Sequence, residues 1–221
     1  MKINPDLLIK GAKGFGISLG EKQVGAFSEY CDFLLERNRL VNLTAITNPD
    51  EVVSKHFVDS LAINLAMDMS ARKNLIDIGS GAGFPGVAIK IAFPATEIVL
   101  VESIGKKTFF LEELMHKLGL PGISVLNIRA ESIPQVRPEY GNHFEIVTAR
   151  AVGNLQLLLS YAKPLLAPGG SLVLWKGRDD ISELPSMLPK IEKLGFNLVK
   201  TIPYKIPLWH LERFLVHLEC L

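Results

Sequence analysis

The sequence predicts an α/β fold, in which a mostly parallel sheet of seven strands is covered by helices and preceded by a helical cap. Three observations indicate this fold. From Asn74 onward, short β-rich runs alternate with helical patterns. A glycine-rich turn directly follows the first of these runs. Residues 1–70 show helical periodicity and almost no strand-like run. We therefore expect a helical cap over residues 1–70 and one compact α/β unit over residues 71–221.

The composition is that of a globular chain. Its 221 residues are 48% hydrophobic and 21% charged, which allows a large core. The net charge is +1, whereas a protein that binds long nucleic acid by electrostatics alone would be far more basic. No secretory signal and no apolar run of roughly 18–20 residues is recognisable. Cys31 and Cys220 form no disulfide or zinc pattern, so we expect a reducing cytoplasm.

Two main helices are predicted in the cap. The first carries an apolar stripe at helical spacing, formed by Val24, Phe27, Cys31, Leu34 and Leu35. Cys31 is therefore interpreted as a core residue. The second helix is predicted to begin at Asn48 or Pro49, with acids in its first turn. His56 lies on this segment and is interpreted as a capping or packing residue rather than a catalyst.

Seven strands are predicted for the α/β unit. They are LIDI (75–78), EIVLVE (97–102), ISVLNI (123–128), FEIVTA (144–149), SLVLWK (171–176), FNLVKTIPY (196–204) and RFLVHLECL (213–221). Helical patterns such as GKKTFFLEELMHKL (105–118) separate the first five, which is typical of a parallel sheet with helices on both faces. The last two are too close in sequence for a crossover helix. We therefore expect antiparallel pairing at one edge of the sheet.

The turn after the first strand is the main functional signal. Four glycines fall within eight residues: Gly79, Gly81, Gly83 and Gly86. In an open parallel sheet, this turn lies where ligands bind. The last three glycines satisfy the G-x-G-x-x-G pattern of dinucleotide sites, which is a weak signal alone. Asp77 before the glycines and Pro85 at the helix start instead resemble the first motif of S-adenosylmethionine-dependent methyltransferases.

Two further strand ends suggest a nucleoside. Glu102 ends the second strand, and its two carboxylate oxygens can accept hydrogen bonds from both ribose hydroxyls. This arrangement suits NAD and S-adenosylmethionine equally. Ala130 and Glu131 follow the third strand, where an adenine ring would lie. A helix-start acid is an equally good interpretation of Glu131.

Four segments, taken in order, resemble one family. They are NLTAITNPDEVVSKHFVDSL (42–61), LIDIGSGAGFPGVAIK (75–90), VESIGKKTFFLEEL (101–114) and VTARAV (147–152). This combination resembles the bacterial RsmG (glucose-inhibited division protein B) family, whose members methylate guanine N7 in small-subunit ribosomal RNA. The resemblance implies a Rossmann-like methyltransferase fold, S-adenosyl-L-methionine as cofactor and 16S ribosomal RNA as substrate. Ser80, Phe84 and Glu102 stand where the family often has threonine, leucine and aspartate.

The positions of residues at strand ends and helix starts, together with the resemblance, predict the site residues. Cofactor binding is expected at Asp77, Gly79, Gly81, Gly83, Phe84, Glu102, Ser103, Ile104, Ala130, Glu131 and Arg150. Arg150, at the end of the fourth strand, is also the predicted catalytic residue. Contact with RNA is expected at Lys106, Lys107, Arg129, Lys176 and Arg213, and no metal is expected. Two of these lysines lie in the first turn of a helix, where positive charge is unfavourable. An anionic partner or a solvated face explains them equally well.

What the sequence lacks narrows the chemistry. Methylation of an exocyclic amine goes with an Asn/Asp-Pro-Pro-aromatic motif after the fourth strand, where this chain has TARAV (148–152). Methylation of a pyrimidine carbon needs a cysteine nucleophile, and we expect neither Cys31 nor Cys220 at a strand end in the sheet. An atom such as guanine N7 attacks with its own lone pair and needs no base, so positioning is the main requirement.

Two alternatives remain open at this point. The G-x-G-x-x-G match favours a nicotinamide-dependent oxidoreductase, and a non-catalytic ribosome-binding factor could keep the same fold. We expect a monomer that recognises folded RNA or a ribosomal subunit. We also expect Arg150→Lys and Arg150→Ala to fold normally and to lose at least roughly tenfold in turnover, about 1.4 kcal/mol.

Overall fold

The computed structural model describes residues 3–150, 154–207 and 209–221, and of residues 209–211 only the backbone. Seven strands form one sheet in the order β3-β2-β1-β4-β5-β7-β6. They are β1 Asn74–Ile78, β2 Glu97–Val101, β3 Ile123–Leu126, β4 Phe144–Arg150, β5 Leu166–Lys176, β6 Phe196–Ile206 and β7 Trp209–Cys220. β1 to β5 are parallel, and β7 is antiparallel to both of its neighbours. The predicted α/β class, seven strands and antiparallel pairing are confirmed.

The structure adds one feature to this topology. β7 lies between β5 and β6, so the antiparallel strand is one position inside the edge and β6 forms the edge itself. In this order β7 pairs with β6 along most of its length and with β5 on its other side. Cys220 therefore ends a strand, contrary to the sequence expectation. Its strand is antiparallel, so this end lies opposite the carboxyl ends of β1 to β5.

The helices lie on the faces of the sheet and in the cap. They are α1 Pro5–Gly14, α2 Glu21–Val41, α3 Pro49–Val52, α4 Asp59–Leu61, α5 Gly86–Ala92, α6 Gly105–Leu118, α7 Ile133–Val136, α8 Leu155–Ala162 and α9 Arg178–Lys193. A π-helical turn, Val53–Val58, joins α3 to α4. Short 3-10 turns occur at Ala62–Leu65, Met69–Ala71, Ala130–Ser132 and Pro138–Tyr140.

Helix starts in the cap follow local chemistry. Asn48 accepts hydrogen bonds from the amides of Asp50 and Glu51, and Pro49 occupies the first helical position. The predicted start is therefore confirmed. Such a cap uses otherwise unpaired amides of the first turn, and the ring of proline suits the helical φ angle.

The cap and the sheet share one hydrophobic core. Phe27, Cys31 and Leu34 on α2 are fully buried, as the apolar stripe predicted. The amide of Gln23 on α2 donates to the carbonyls of Ile91 and Ala92 at 3.0 and 2.8 Å. These carbonyls lie in the last turn of α5, where helical partners are lacking. The cap is thus joined to the sheet by apolar packing and by direct hydrogen bonds.

The end of β3 differs from the predicted one, because side-chain hydrogen bonds replace the hydrogen bonds between strands there. β3 ends at Leu126, two residues earlier than predicted. The next residue, Asn127, donates instead to the Glu102 carbonyl at 3.0 Å and to the Thr108 hydroxyl at 2.9 Å. These bonds tie the end of β3 to the start of α6. Both elements thereby border the carboxyl ends of the central strands.

Candidate active site

The glycine loop lies at the carboxyl end of β1. Gly79 and Ser80 donate their amides to the Val101 carbonyl at 2.9 and 3.0 Å, which ties the loop to β2. Gly79, Gly81 and Gly83 have φ angles of 72°, 58° and 98°. Residues with a Cβ adopt this left-handed region at a cost, so glycine is favoured at each of these positions.

The cap clamps this loop from one side. The Tyr30 hydroxyl on α2 donates to the Ala82 carbonyl at 2.5 Å, and the Tyr30 ring stacks on Phe84 with centroids 5.3 Å apart. A Cβ at Gly83 would lie 2.6 Å from the Tyr30 hydroxyl oxygen. Gly83 is therefore needed for packing against the cap. The sequence suggested that Gly83 contacts the cofactor, but it does not face the cleft.

Asp77 lies beneath the loop. Its side chain is fully buried and accepts hydrogen bonds from the Gly86 amide at 3.2 Å and the Thr148 hydroxyl at 2.9 Å. Burial raises the pKa of this carboxyl to about 6, against the lowering effect of these bonds. Asp77 thus connects β1, α5 and β4. The structure does not place it in the wall where a cofactor contact was expected.

Glu102 faces the cleft and also orders it. One carboxylate oxygen accepts from the Gly81 amide at 3.0 Å, and the other accepts from the Ile104 amide at 2.8 Å. Each oxygen keeps a further lone pair. Ile104 itself is held by its backbone, and its side chain is half exposed outside the cleft.

Two adjoining cavities form the cleft, and Gly79 and Glu102 belong to both. The β2–β3 cavity has a volume of about 180 Å³ and is lined by Ile78, Gly79, Val101, Glu102, Ser103, Ile128, Arg129, Ala130, Glu131 and Tyr161. The β1–β4 cavity has a volume of about 290 Å³ and is lined by Leu43, Thr44, His56, Gly79, Ser80, Gly81, Ala82, Phe84, Glu102, Lys107 and Arg150. Together they exceed the roughly 300 Å³ lower limit of common small-molecule sites.

Most of the residues predicted to bind a cofactor line this cleft. They are Gly79, Gly81, Phe84, Glu102, Ser103, Ala130, Glu131 and Arg150. The three others lie behind or beside it, namely Asp77, Gly83 and Ile104. Direct ligand contact at each position stays a prediction.

Arg150 lines the β1–β4 cavity, but most of its donors point to the cap. Its Nη2 donates to the Lys55 carbonyl at 2.7 Å and lies 3.0 Å from Nδ1 of His56. Its Nη1 lies 3.4 Å from Asp59 Oδ2 and 3.5 Å from the His56 carbonyl oxygen. Its guanidinium carbon lies 5.8 Å from the centre of the Phe84 ring. Of the N–H groups of Arg150, only the Nε–H has no hydrogen-bond partner among the described residues.

Asp59 anchors a buried network that links the cap to the sheet. Its carboxylate is inaccessible to solvent and lies 3.3 Å from Arg213 Nη2, besides its contact with Arg150. It also accepts from the Tyr204 hydroxyl at 2.5 Å. The Asp59 carbonyl accepts from the Trp175 indole at 2.7 Å. One cap residue is thus bonded to β4, β5, β6 and β7.

His56 is held as a neutral ring in the cavity wall. Nδ1 accepts from Arg150, so Nε2 carries the hydrogen and donates to the Thr44 hydroxyl at 2.8 Å. The ring stacks on Phe84 with centroids 4.4 Å apart. Burial, and then the charge of Arg150, lower the pKa of His56 to about 3. With both nitrogens engaged, His56 serves packing and positioning, as the sequence suggested, rather than proton transfer.

The residues predicted to contact RNA fall into separate places. Lys107 lines the β1–β4 cavity and Arg129 the β2–β3 cavity, and Lys106 is exposed beside the first of them. Lys176 pairs with Asp180 at 3.2 Å and lines a different cavity between α8 and α9. Arg213 is largely buried against Asp59. The structure therefore does not bring Lys176 or Arg213 into the cleft.

Sequence reasoning missed several members of the wall. Leu43 and Thr44 enter the cavity because Asn38 accepts hydrogen bonds from both of their amides, at 2.6 and 2.9 Å. Asp59 and Tyr30 support the site from behind. A usable signal existed for three of these residues, since NLT (42–44) and KHFVDSL (55–61) belong to the segments that carried the family resemblance.

Neither cysteine reaches the cleft. Cys31 is buried in α2, where burial raises the pKa of its thiol to about 12, and Cys220 lies 3.3 Å from Nζ of Lys163 at the far end of β7. The segment compared with amine methyltransferases extends into residues 151–153, which lie outside the described residues. In the described part of the chain, no three His, Cys, Asp or Glu side chains could together hold a metal ion. No described helix is both long and apolar enough to cross a membrane.

Comparison with known proteins identifies the family. A family model described as "GidB: rRNA small subunit methyltransferase G" matches residues 23–205. Proteins named "Ribosomal RNA small subunit methyltransferase G" from Acetivibrio thermocellus and Roseiflexus sp. are 39% and 40% identical over 209 and 202 residues. These matches cover 94% and 91% of this chain, and 84% and 86% of the relatives.

Solved structures show the same fold at low sequence identity. A methyltransferase from Aquifex aeolicus, described as SAM dependent, has a TM-score of 0.59 and 16% identity, with 79% of this chain and 94% of that chain covered. TYW2 from M. jannaschii, solved in complex with AdoMet, has a TM-score of 0.55 and 14% identity, with coverages of 72% and 76%. The Rossmann-like methyltransferase fold is thus confirmed.

Proposed function

The chain belongs to the family of rRNA small subunit methyltransferase G, and on this premise we propose that it methylates N7 of a guanine in 16S ribosomal RNA, with S-adenosyl-L-methionine as methyl donor. Both the cofactor and the ribosomal RNA follow from the family. The choice of guanine N7 is supported by the chemistry of the cavity wall.

The cleft suits the proposed cofactor. In the β2–β3 cavity, the free carboxylate lone pairs of Glu102 are available to two ribose hydroxyls. Ala130 and Glu131 line the same cavity, and the adenine ring is proposed to bind beside them. In the β1–β4 cavity, the glycine loop leaves room for the amino-acid end. When bound, S-adenosyl-L-methionine supplies an electrophilic methyl group on a positively charged sulfur. The protein then has to hold the acceptor nitrogen in line with that methyl group.

The observation that carries the choice of N7 is that the described residues lining the β1–β4 cavity include no cysteine and no histidine with an unbonded ring nitrogen. His56 is neutral with both nitrogens bonded, and the Glu102 carboxylate accepts from two backbone amides and has its remaining lone pairs assigned to the ribose. Attack by N7 forms a nitrogen–carbon bond as the carbon–sulfur bond breaks. The positive charge moves from sulfur to the purine ring, and no proton leaves. Positioning and exclusion of water can supply roughly 7–11 kcal/mol for such a step.

Label transfer tests the proposal. Small ribosomal subunits and naked 16S RNA that lack the modification are incubated with labelled S-adenosyl-L-methionine, and the product is digested to locate the methyl group. We expect label on guanine N7, with subunits or folded RNA preferred over unfolded RNA. Label on another atom would refute the choice of N7.

We also propose that the protein acts as a monomer in the cytoplasm, where ribosomes assemble.

Two controls separate the alternatives. Calorimetry should show binding of S-adenosyl-L-methionine and none of NAD, which would exclude a nicotinamide-dependent oxidoreductase. A non-catalytic ribosome-binding factor would bind subunits without transferring any label. Tight binding of RNA with no transfer to either substrate would therefore overturn the proposed activity.

A further inference from the structure

The start of α6 forms a rim at the cleft that combines cations with exposed apolar side chains. We define the α6 rim as Ile104, Lys106, Lys107 and Phe109. Lys107 lines the β1–β4 cavity together with Glu102 and Arg150. Lys106 and Phe109 are three residues apart on one helix and are therefore neighbours on its surface. The rim thus continues outward from the wall of the cleft.

The lysines of the rim differ from other cations on the neighbouring elements. Among the described residues, neither Lys106 nor Lys107 has a carboxylate partner. Other cations on α2, on α6 and in the cleft are paired, namely Arg37 with Glu113 at 2.7 Å, Lys117 with Glu29 at 3.3 Å and Arg129 with Glu131 at 3.7 Å. The two rim lysines therefore retain uncompensated positive charge at the entrance.

The apolar members of the rim are unusually accessible. Phe109 is 60% exposed and Ile104 is 50% exposed, whereas the adjacent Phe110 is buried and stacks on Phe33 of α2. Phe109 is the only phenylalanine among the strongly exposed side chains of the described residues. A single exposed apolar residue is common on protein surfaces. Here an aromatic ring lies beside unpaired lysines and an open cleft.

We propose that the α6 rim binds a single-stranded stretch of the RNA substrate, with an unpaired base stacked on Phe109 and phosphates held by Lys106 and Lys107. The proposal rests on the proposed function for the identity of the substrate. Aromatic rings beside a positively charged groove are the common means of holding unpaired nucleotides. A protein partner fits less well, because lysine is depleted from the cores of protein–protein interfaces.

This surface would serve the reaction at the neighbouring cleft. A guanine cannot enter the β1–β4 cavity while it remains stacked in a helix, so it must be unpaired or flipped out. Holding a flanking base on Phe109 would keep the strand open next to the cavity. The rim would thereby add affinity that does not depend on the chemical step.

Binding measurements without cofactor test the rim separately from catalysis. The probes are a labelled 12-nucleotide oligoadenylate and heparin, a polyanion that has no bases, both at about 50 mM salt. We expect F109A and F109L to weaken oligoadenylate binding at least fivefold and to leave heparin binding unchanged, because stacking is lost and charge is kept. F109W should bind within twofold of the wild type. K106Q should weaken both probes. V199A removes an exposed apolar group on the distant edge strand and is the matched control.

A spectroscopic signal distinguishes stacking from simple apolar contact. The indole fluorescence that F109W adds to that of Trp175 and Trp209, taken as the difference from the wild type, should be quenched by oligoadenylate and not by heparin. Full affinity of F109L, or no quenching, would overturn the proposal. Quenching by isolated ribosomal proteins but not by folded 16S RNA would assign the rim to a protein partner and would also overturn it. Failure of the proposed function is detected by the label-transfer assay, in which the wild-type protein would then transfer no label.

Discussion

Arg150 lines the cleft and at the same time bonds to residues of the cap. Its guanidinium meets the buried Asp59 carboxylate and two backbone carbonyls of the π-helical turn. A buried carboxylate is tolerated because it is paired, and removing a partner leaves charge uncompensated. Asp59 has a second cation, Arg213. Loss of Arg150 should therefore weaken the network without abolishing it.

We predict that Arg150→Lys destabilises the protein, contrary to the sequence expectation that such a variant folds normally. A single ammonium group cannot reproduce contacts to Asp59, His56 and Lys55 made by a planar fork. The expected loss is about 1–3 kcal/mol in the free energy of unfolding, measured by urea denaturation. Arg178→Lys, at an exposed ion pair with Glu212, is the control and should change little.

An unchanged stability of Arg150→Lys together with lost methyl transfer would contradict this prediction. It would show that the fork acts on the substrate, as the sequence suggested. If Arg150→Lys loses both stability and methyl transfer, Arg150 supports the buried network. Only its Nε–H and the face of its guanidinium then remain available to contact a ligand.

His56 gives a prediction about pH. Its pKa is about 3 in the folded protein, below the ordinary value near 6.5. Between these values the unfolded chain binds more protons, so stability rises with pH. This contribution is complete above pH 6.5 and is lost as the pH falls towards 3. The stability advantage of the wild type over His56→Gln should therefore shrink in that range, by up to about 1.4 kcal/mol per pH unit.

Urea unfolding of both proteins at several pH values from 4 to 7.5 measures this difference. The raised pKa of Asp77 has the opposite effect on stability between roughly pH 4 and 6. It is common to both proteins and cancels in the comparison. A difference that stays constant with pH would mean that His56 titrates normally in the fold.

At the scale of elements, α2 is a brace for the glycine loop. Tyr30 joins the helix to Ala82 through one hydrogen bond and to Phe84 through its ring. Tyr30→Phe removes only the hydroxyl. We expect a loss of about 1 kcal/mol in the binding of S-adenosyl-L-methionine, roughly fivefold, because a loop with fewer constraints must be ordered on binding.

Calorimetry on Tyr30→Phe measures this effect, and Tyr140→Phe, distant from the cleft at the amino ends of the strands, is the control. Equal affinities of wild type and Tyr30→Phe would show that packing alone orders the loop. An equal loss in both variants would show that the effect is not specific to the brace.

The elements themselves were largely predictable, because alternating patterns and glycine spacing are local properties. The strands, α6 and the start of α3 follow from them. The position of β7 inside the edge does not, since it depends on which side of the hairpin meets β5. The directions in which side chains point could not be predicted from the sequence either. Asp77 and Arg150 occupy the predicted strand ends, yet their partners lie in α5, β4 and the cap, which only the tertiary structure brings together.

At the scale of the whole molecule, the cap and the sheet are packed and hydrogen-bonded together. Their apolar side chains form a common core, and Asp59 connects the cap to four strands. The β1–β4 cavity has walls from both parts, with Thr44 and His56 from the cap and the glycine loop from the sheet. Changes in the cap should therefore alter the transfer site even where they are distant from the substrate.

The near-neutral charge of the molecule leads to a prediction about RNA. The net charge is +1, and the cations at the cleft are chiefly Lys106, Lys107 and Arg129. Each phosphate neutralised on a single strand contributes about 0.7 to the slope of log K against log salt. Three such contacts give a slope of about −2. Binding to unstructured RNA should hence be weak and only mildly salt-dependent.

Fluorescence anisotropy from 50 to 200 mM salt measures this slope for an unstructured RNA and for small ribosomal subunits. The same three cations are available to both ligands, so the slopes should be similar while the affinity for subunits is much higher. The gain must then come from shape and from a pre-ordered target strand, because folded RNA does not have to be ordered on binding. A slope of −6 or steeper for unstructured RNA would contradict this account, since it requires more phosphate contacts than the cleft and the α6 rim provide.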